Sequence, residues 1–462
     1  MNAQPFACPT LRELAGPGGG PRIALPAAAA PDLSGFMADD LEALAGRTVL
    51  VASRSQAASA DALIALDGVA ARLVICPFDL SPDQRAAIAE EAGVEAIVSD
   101  RSDDQPAGGL PFFLRSGLSA VGGPALPRCR TEWIMPTSGT TGRPKLVAHT
   151  LAGLIGAIAP TAGQPQSPPV WATFYDIRRY GGLQIFLRAC LAGADLVLTD
   201  QSEDLGAFMR RCGAAGVTHL TGTPSHWRQL LMSPYAGLIK PAYVRLSGEI
   251  ADQAILDALR RTWPEAAVIH AYASTEAGVA FEVRDGREGF PADYIDSLGG
   301  LPGVDIKLEA GTMRIRSART ALGYVGAHAP QLLDVERFVD TDDVVERIGD
   351  RCHFRGRRSG VINVGGNKVH PEEVEGIINL HPAVSMSRVQ ARRSPVLGDL
   401  IVADIVLKPA FAAAGSDEQA ALQAEILATC RTRLDRHKIP VSLKILTALP
   451  LIGSGKMGRQ NA

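Results

Sequence analysis

The chain has no Cys-x-x-Cys pair. Its seven cysteines (Cys8, Cys76, Cys129, Cys190, Cys212, Cys352 and Cys430) are scattered and odd in number. That pattern suits reduced thiols in a cytoplasmic protein better than a disulfide framework. The chain also lacks a charge excess: the net charge of -3 over 462 residues gives no basic field for nucleic acid or an anionic membrane. No apolar run approaches the roughly 18 residues of a bilayer span, so no membrane insertion is expected. The first residues, "MNAQPFACPTLRELAG", have no cationic start followed by an apolar core, so they do not read as a secretory signal. No internal repeat is visible.

The composition that is present, 46% hydrophobic and 21% charged, is that of a globular protein. The length exceeds the roughly 250–300 residues at which single cores stop growing, so more than one domain is expected. Residues 16–32, rich in Gly, Pro and Ala, read as a connection. From residue 47 to 100 strand-like and helix-like segments alternate: "RTVLVAS", "ADALIALDGVAA", "RLVICPF", "SPDQRAAIAEEAG", "VEAIVSD". Ser or Asp caps precede the helices, and the alternation implies a mostly parallel sheet. The same grammar runs from residue 183 to 274. From residue 304, "VDIKLEAGTMRIRS" reads as a β-hairpin. Beyond residues 355–360 lies a small α+β pattern, with helices at "HPEEVEGIINLH" and "DEQAALQAEILATCRTRLDRH" and strands between them. The predicted fold class is α/β: a large N-terminal domain (1–357) of α/β subdomains plus a β-rich part, then a small α+β C-terminal domain (358–462).

One loop stands out, "PTSGTTGRPK", residues 136–145, between the strand-like "TEWIM" and "KLVAHT". Its glycines can turn backbone N–H groups toward a ligand, the hydroxyls add donors, and Arg143 and Lys145 add positive charge, a set that suits a polyphosphate. Gly/Ser/Thr clusters are also common in plain polar turns. The Walker pattern is excluded, because Pro144 precedes Lys145 and Leu146 follows it.

The loop resembles the phosphate loop of the adenylate-forming enzymes, the superfamily of acyl-CoA synthetases, peptide-synthetase adenylation domains and luciferases. Five further stretches match in order: "LSGE" (246–249), "AYASTE" (271–276), "VDTDDVVERIGDRCHFRGRRSG" (339–360), "NVGGNKVHPEEVE" (363–375) and "LPLIGSGKMGR" (449–459). The resemblance implies two half-reactions. A carboxylate attacks the α-phosphorus of ATP, giving an acyl-adenylate and pyrophosphate; a thiol or amine then displaces AMP. It also implies that the C-terminal domain is mobile and swings between them.

Residue by residue, the resemblance implies that Thr137, Ser138, Gly139, Thr140, Thr141, Gly142 and Lys145 hold the β- and γ-phosphates. Thr275 would contact the α-phosphate and Glu276 would help bind Mg2+. Gly248 and Glu249 would border the adenine beside Tyr272, with Ala273 and Ser274 completing that nucleotide-binding segment. Asp343 would take the ribose hydroxyls, assisted by Arg357. Lys456 would orient the carboxylate and α-phosphate, and Gly366 would line the thiol channel. The implied cofactors are ATP, Mg2+ and coenzyme A, or a phosphopantetheine acceptor.

The chain departs from the family pattern at several points. Ala273 replaces the usual glycine, and its methyl is expected to narrow the acyl pocket. Asp342 stands where glycine is usual, which is expected to add a negative charge beside the ribose site. Ser359 falls at the hinge position, commonly Asp or Lys. The segment before the phosphate loop is short for the family, so a second subunit, as in a homodimer, could cover that face. Acid-pocket candidates come from "WATFYDIRRYGGLQ" and "LTGTPSHW": Asp176, Tyr180, Gly222 and Thr223. Asp176 is expected either to hold a substrate amine or to pair with Arg178 or Arg179. Tyr180 either lines the pocket or belongs to the core.

The expected function is an acid–thiol ligase making an acyl-CoA from a small carboxylic acid. A second reading passes the acyl or aminoacyl group to a carrier protein acting in trans or to an amine. A third is a nucleotide-binding protein without ligase chemistry, against which Lys145, Thr275, Glu276, Asp343 and Lys456 argue.

Overall fold

The computed structural model describes residues 9–15, 23–24, 35–105, 109–115, 128–137, 144–158, 168–200, 203–297, 300–394, 398–413, 415–450 and 457. Of the expected site residues, Ser138, Gly139, Thr140, Thr141, Gly142 and Lys456 lie outside them.

Two seven-stranded sheets carry the large part of the chain. One has the order Gly323–Val325, Lys145–Thr150, Glu132–Thr137, Arg72–Ile75, Thr48–Val51, Ala96–Ser99, Phe112–Leu114. The other runs Ile23–Ala24, Asp195–Leu198, Val170–Thr173, His219–Gly222, Tyr243–Ser247, Ala267–Ser274, Gly278–Val283. Both are parallel in their centres and antiparallel where Lys145–Thr150 and Gly278–Val283 pair. That is the mostly parallel architecture the alternating segments imply.

The helix Gln56–Leu66 buries nine of its eleven residues. A helix buried on nearly every side has to be sandwiched, and this one shares a core with Val49, Leu73 and Val98 of the first sheet and with Trp171, Leu196 and Leu198 of the second. The helix Tyr180–Ala192 lies in the same core. Its start depends on Gly182, where a Cβ would stand 2.1 Å from the carbonyl of Asp176.

A five-stranded antiparallel sheet follows, and the expected hairpin is present as Val304–Glu309 paired with Thr312–Ser317. From Ile362 onward the residues form a core of their own, including Val374, Ile378, Val389, Ile405, Ile426 and Cys430. Here the helices Pro371–Asn379 and Ser416–Arg433 accompany a three-stranded sheet. The six described cysteines are free, and among the described residues no helix is long and apolar enough to cross a membrane.

Candidate active site

The described ends of the phosphate-loop candidate, Thr137 and Lys145, lie on an antiparallel pair. Thr137 and Lys145 are its last register partners, and the Thr137 hydroxyl donates to the Lys145 carbonyl at 3.4 Å. Strand Gly323–Val325, from far along the chain, pairs with the other edge of Lys145–Thr150. This pairing sets Tyr324 beside Lys145, whose Nζ is 5.2 Å from the ring centroid. The Tyr324 phenol is pushed up to about 12 by burial and by hydrogen bonding to the negatively charged Glu276. Lys145 and Glu276, 131 positions apart in the sequence, are thus bridged by one tyrosine. Composition and spacing did not single out Tyr324; the only local signal is an aromatic residue between glycines, Gly323 and Gly326.

Glu276 belongs to the turn after Ala267–Ser274. The Ser274 hydroxyl accepts from the Ala277 amide at 3.0 Å, and the Glu276 carbonyl accepts from the Ala321 amide at 2.9 Å. The Thr275 carbonyl accepts from Nε2 of His149 at 2.7 Å. A carbonyl can only accept, so the proton sits on Nε2 and Nδ1 carries a lone pair; no partner for Nδ1 is found among the described residues. Burial pushes His149 down to about 4, so the ring is neutral at pH 7. His149 was not foreseen as a support for the Thr275 turn.

Next to this turn, the register shifts at Tyr272/Ala273, a bulge that re-aims the side chains beyond it. Ala273 is partly buried against the main core. Pairing of Ser247 with Ala271 sets Gly248, just past the end of strand Tyr243–Ser247, beside Tyr272 on the neighbouring strand. Gly248 has φ of 86°, a left-handed conformation that favours glycine.

The Tyr272 ring lies against both Phe281 and Phe354, at centroid distances of 5.5 and 5.4 Å, and the two phenylalanines are themselves 6.5 Å apart. Its hydroxyl donates to Oδ2 of Asp343. Burial first, and then the Asp343 charge, push its phenol well above the ordinary range. Asp343 is the register partner of Arg357, whose Nε lies 3.5 Å from Oδ1. Although burial alone would lower it, the Arg357 guanidinium is raised by the charges of Asp343 and Glu276. Glu276, Asp343, Arg357, Tyr272, Tyr324 and Lys145 therefore form one electrostatically connected surface.

Glu249 has a second task. Its Oε2 accepts from the Ser225 amide at 2.9 Å, at the start of helix Pro224–Met232. Its Oε1 accepts from the Met457 amide at 2.8 Å, which brings the chain neighbour of Lys456 to the adenine-segment candidate. The C-terminal residues touch the same helix twice more. Nη1 of Arg228 donates to the Ser385 carbonyl at 2.7 Å while Nη2 pairs with Asp252. Met232 packs on Met386, Val406, Leu449 and Met457.

Asp176, Thr223, Asp342 and Gly366 each have a structural role of their own. Of its two expected roles Asp176 takes the ion pair: Arg178 binds both carboxylate oxygens at 2.7 Å, and its Nη1 continues to the carbonyls of Ser53 and Arg54. The pair is buried and pins the turn before helix Tyr180–Ala192. Thr223 is an N-cap, its hydroxyl accepting from the His226 amide at 3.2 Å.

Asp342 adds no loose charge beside the ribose candidate. It takes φ of 63°, a conformation Asp tolerates better than most residues. Its carboxylate accepts from Arg358 and from both the amide and the hydroxyl of Ser359. The two departures, Asp342 and Ser359, thus meet. Gly366 has φ of 89°, and a Cβ there would meet nothing within 4 Å. With Gly365 it forms a two-residue hairpin turn between Ile362–Val364 and Asn367–Val369, so turn geometry, not crowding, accounts for this glycine.

Gly222 is a place of close approach, where a Cβ would be 2.8 Å from the Phe174 ring. Tyr180 is buried, with its ring 5.7 Å from His149.

Among the described residues no group of three or more His, Cys, Asp or Glu could hold a metal. A single carboxylate such as Glu276 fits Mg2+, which takes few protein ligands and completes its octahedron with phosphate oxygens and water.

Comparison with known proteins agrees with this geometry. Residues 28–325 match the family described as AMP-binding enzyme, and residues 373–456 match the AMP-binding enzyme C-terminal domain. The chain is 28% identical over 362 residues to an isonitrile lipopeptide synthase of Streptomyces coeruleorubidus, covering 71% of this chain and 23% of that protein. It is 30% identical over 265 residues to 2-succinylbenzoate–CoA ligase of Salmonella typhimurium, covering 55% of this chain and 53% of that protein. It therefore spans about a quarter of the first relative and about half of the second. In fold it is similar to the anthranilate CoA ligase AuaEII in complex with anthranoyl-AMP, with a TM-score of 0.74 and 17% identity over 97% of this chain and 95% of that one. With both family patterns matched in order, the chain belongs to the AMP-binding enzyme family.

Proposed function

We propose that the chain is an ATP-dependent acid–thiol ligase that converts a small carboxylic acid to its acyl-adenylate and then to an acyl-CoA, releasing pyrophosphate and AMP. The observation that carries this reading is the bridge from Lys145 through Tyr324 to Glu276, with Asp343 and Arg357 alongside. A cation for the outer phosphates, a carboxylate for Mg2+ and a carboxylate for the ribose are what a bound nucleoside triphosphate needs. The CoA ligase among the relatives supports the acceptor.

A free carboxylate is a poor acylating agent, and AMP is a far better leaving group than oxide. Charge that builds on the phosphoryl oxygens during attack has to be met by donors already in place. Lys145 and the Thr137 end of the loop would hold the outer phosphates. Thr275 would face the α-phosphate, its turn fixed by His149 from behind. Asp343 would accept from the ribose hydroxyls, oriented by Tyr272 and Arg357. Mg2+, when bound, would neutralise phosphate charge beside Glu276. Lys456 would arrive with the C-terminal domain, which we take as residues 358–462, and the Met457–Glu249 bond supports that arrangement.

After adenylation this domain would swing away about Ser359 to admit the thiol along a channel that includes Gly366. A cytoplasmic location is in keeping with the free thiols. A homodimer, expected from the short N-terminal segment, would be read by sedimentation.

The test is acid-dependent pyrophosphate release across short, branched, aryl and amino acids, with and without CoA. The isonitrile lipopeptide synthase among the relatives favours a second reading, in which the acceptor is a carrier-protein phosphopantetheine or an amine. AMP release that needs a loaded carrier or an amine and ignores CoA would select it.

A further inference from the structure

At one end of the strand pair Glu132–Thr137 and Lys145–Thr150 lies the phosphate-loop candidate; at the other end Thr150 pairs with Glu132. A cavity of about 220 Å³ opens at this second end, and its polar lining is Arg130, Thr150, Arg316, Ser317, Thr320 and Arg337. Thr150 stands five residues from Lys145 along one strand, about 16 Å away. The cavity is therefore separate from the phosphate loop.

Three distant segments build it. Arg130 lies two residues before strand Glu132–Thr137. Ser317 ends strand Thr312–Ser317, and Thr320 closes the turn after it: its hydroxyl donates to the Ser317 carbonyl at 2.7 Å and accepts from the Ser317 amide at 3.1 Å. Arg337 sits in a turn held by Asp334, whose Oδ1 accepts from the Glu336 and Phe338 amides at 2.9 and 2.8 Å. Its φ is 67°, a conformation that few residues other than glycine adopt.

The acids nearby are committed to other cations. Asp334 pairs with Arg314, Glu336 with Lys307 and Glu132 with Arg72. Asp305 pairs with Arg316, whose guanidinium carbon also lies 4.5 Å from the centroid of the Phe338 ring. Arg130 and Arg337 are exposed, and their guanidinium groups have no hydrogen bond or ion pair among the described residues. Three guanidinium groups thus line one small cavity against a single carboxylate, Asp305. Like charges brought together repel, and an anion between them relieves the repulsion.

The donor set selects the anion. Guanidinium forks match the oxygens of a phosphate two at a time. Oγ1 of Thr150 accepts from the Gly153 amide at 3.0 Å, so its own proton has no acceptor among the described residues and is available to a further oxygen. The volume falls below the roughly 300–1,000 Å³ of pockets that enclose a drug-sized molecule. A phosphate or pyrophosphate fits; a whole nucleotide does not.

We propose that this cavity is an anion site in its own right and that its ligand is a phosphoryl group held between Arg130 and Arg337. The group is inorganic phosphate, pyrophosphate or the terminal phosphate of a monoester. The proposal goes beyond the ligase reading and does not depend on it.

The test is calorimetric titration of the full chain with inorganic phosphate, pyrophosphate and phenyl phosphate at fixed ionic strength. Each titration is run with and without saturating α,β-methylene-ATP, which occupies the nucleotide site. At least one of the three is expected to bind in equal proportion to the chain with the analogue present, and which one does so identifies the source of the phosphoryl group. Arg130→Gln and Arg337→Gly should each weaken that binding about fivefold or more; glycine also suits the positive φ, so this variant is expected to fold. Arg337→Lys should keep part of the affinity. Arg347→Gln, at an exposed arginine elsewhere, should leave it unchanged.

No binding by any of the three with the analogue present overturns the proposal and leaves the ligase reading standing. So does an affinity untouched in the Arg130 and Arg337 variants, or one that falls as much in Arg347→Gln. Failure of the analogue itself to bind counts against the ligase reading alone, and the arginine variants still decide the proposal.

Discussion

Arg228 offers a direct test of how the C-terminal residues dock. Its guanidinium is nearly buried, bound to Asp252 on its own side and to the Ser385 carbonyl across the contact. Asp252 also accepts from Asn379 at 3.1 Å, so the same ion pair reaches across twice. A hydrogen bond to a charged group contributes about 1.5–3 kcal/mol, and losing it also strands the Ser385 carbonyl. Arg228→Ala should therefore weaken docking by about 2–3 kcal/mol, a roughly 30- to 150-fold change in the docked population.

If Lys456 reaches the site only when docked, the adenylation half-reaction should slow by at least about tenfold. Acyl transfer from supplied acyl-adenylate should change much less. Single-turnover assays of the two half-reactions give both numbers. Arg228→Lys, which keeps the charge but cannot fork between two acceptors, should fall between. Equal losses in both half-reactions, or an adenylation rate within twofold of the wild type, would refute the docking argument.

Tyr272→Phe keeps the stack on Phe281 and Phe354 but removes the donor to Asp343; the KM for ATP should rise about five- to tenfold with kcat little changed in steady-state kinetics. Asp342→Gly removes the bonds to Arg358 and Ser359 and relieves a positive φ. Its unfolding midpoint should shift by less than about 1 kcal/mol, while the ratio of the two half-reaction rates changes; an unchanged ratio removes Ser359 as the hinge. Glu276→Gln should raise the Mg2+ concentration needed for half-maximal pyrophosphate release about tenfold or more, read by metal titration.

His149 and His226 are pushed down to about 4 by burial, below the unfolded value of about 6.5. The fold therefore favours their neutral forms. Their contribution is complete above about pH 6.5 and is lost progressively as pH falls toward 4, by up to about 3 kcal/mol each. Urea midpoints at pH 7.5 and 5 should differ accordingly, and a flat profile would refute the buried, neutral assignment.

Periodicity carried most of the elements. Segments such as "VEAIVSD" and "SPDQRAAIAEEAG" fold as Ala96–Ser99 and Pro82–Ala92, trimmed by a residue or two at the ends. Apolar runs and Ser caps are local signals, and tertiary packing reinforces them. The motif residues Thr275, Glu276 and Asp343 were legible as pattern.

What joins them was not. Tyr324 meets Lys145 only because a short strand from far along the chain pairs with the loop's edge. His149 meets Thr275 across 126 residues. Asp342 was misread because its sequence neighbourhood shows charge but not direction: its positive φ turns the carboxylate from the ribose candidate to Ser359. The Asp176 ion pair was one of its two expected roles, whereas the Thr223 hydroxyl, which also serves in caps, was claimed by local structure.

The most direct test of the central claim is acid-dependent exchange of labelled pyrophosphate into ATP by the purified full chain, in the absence of any acceptor. Exchange that appears only with a suitable organic acid, needs Mg2+ and is abolished in Lys456→Ala is the predicted result. A folded protein that binds ATP yet shows no exchange with any acid across the panel would contradict the account.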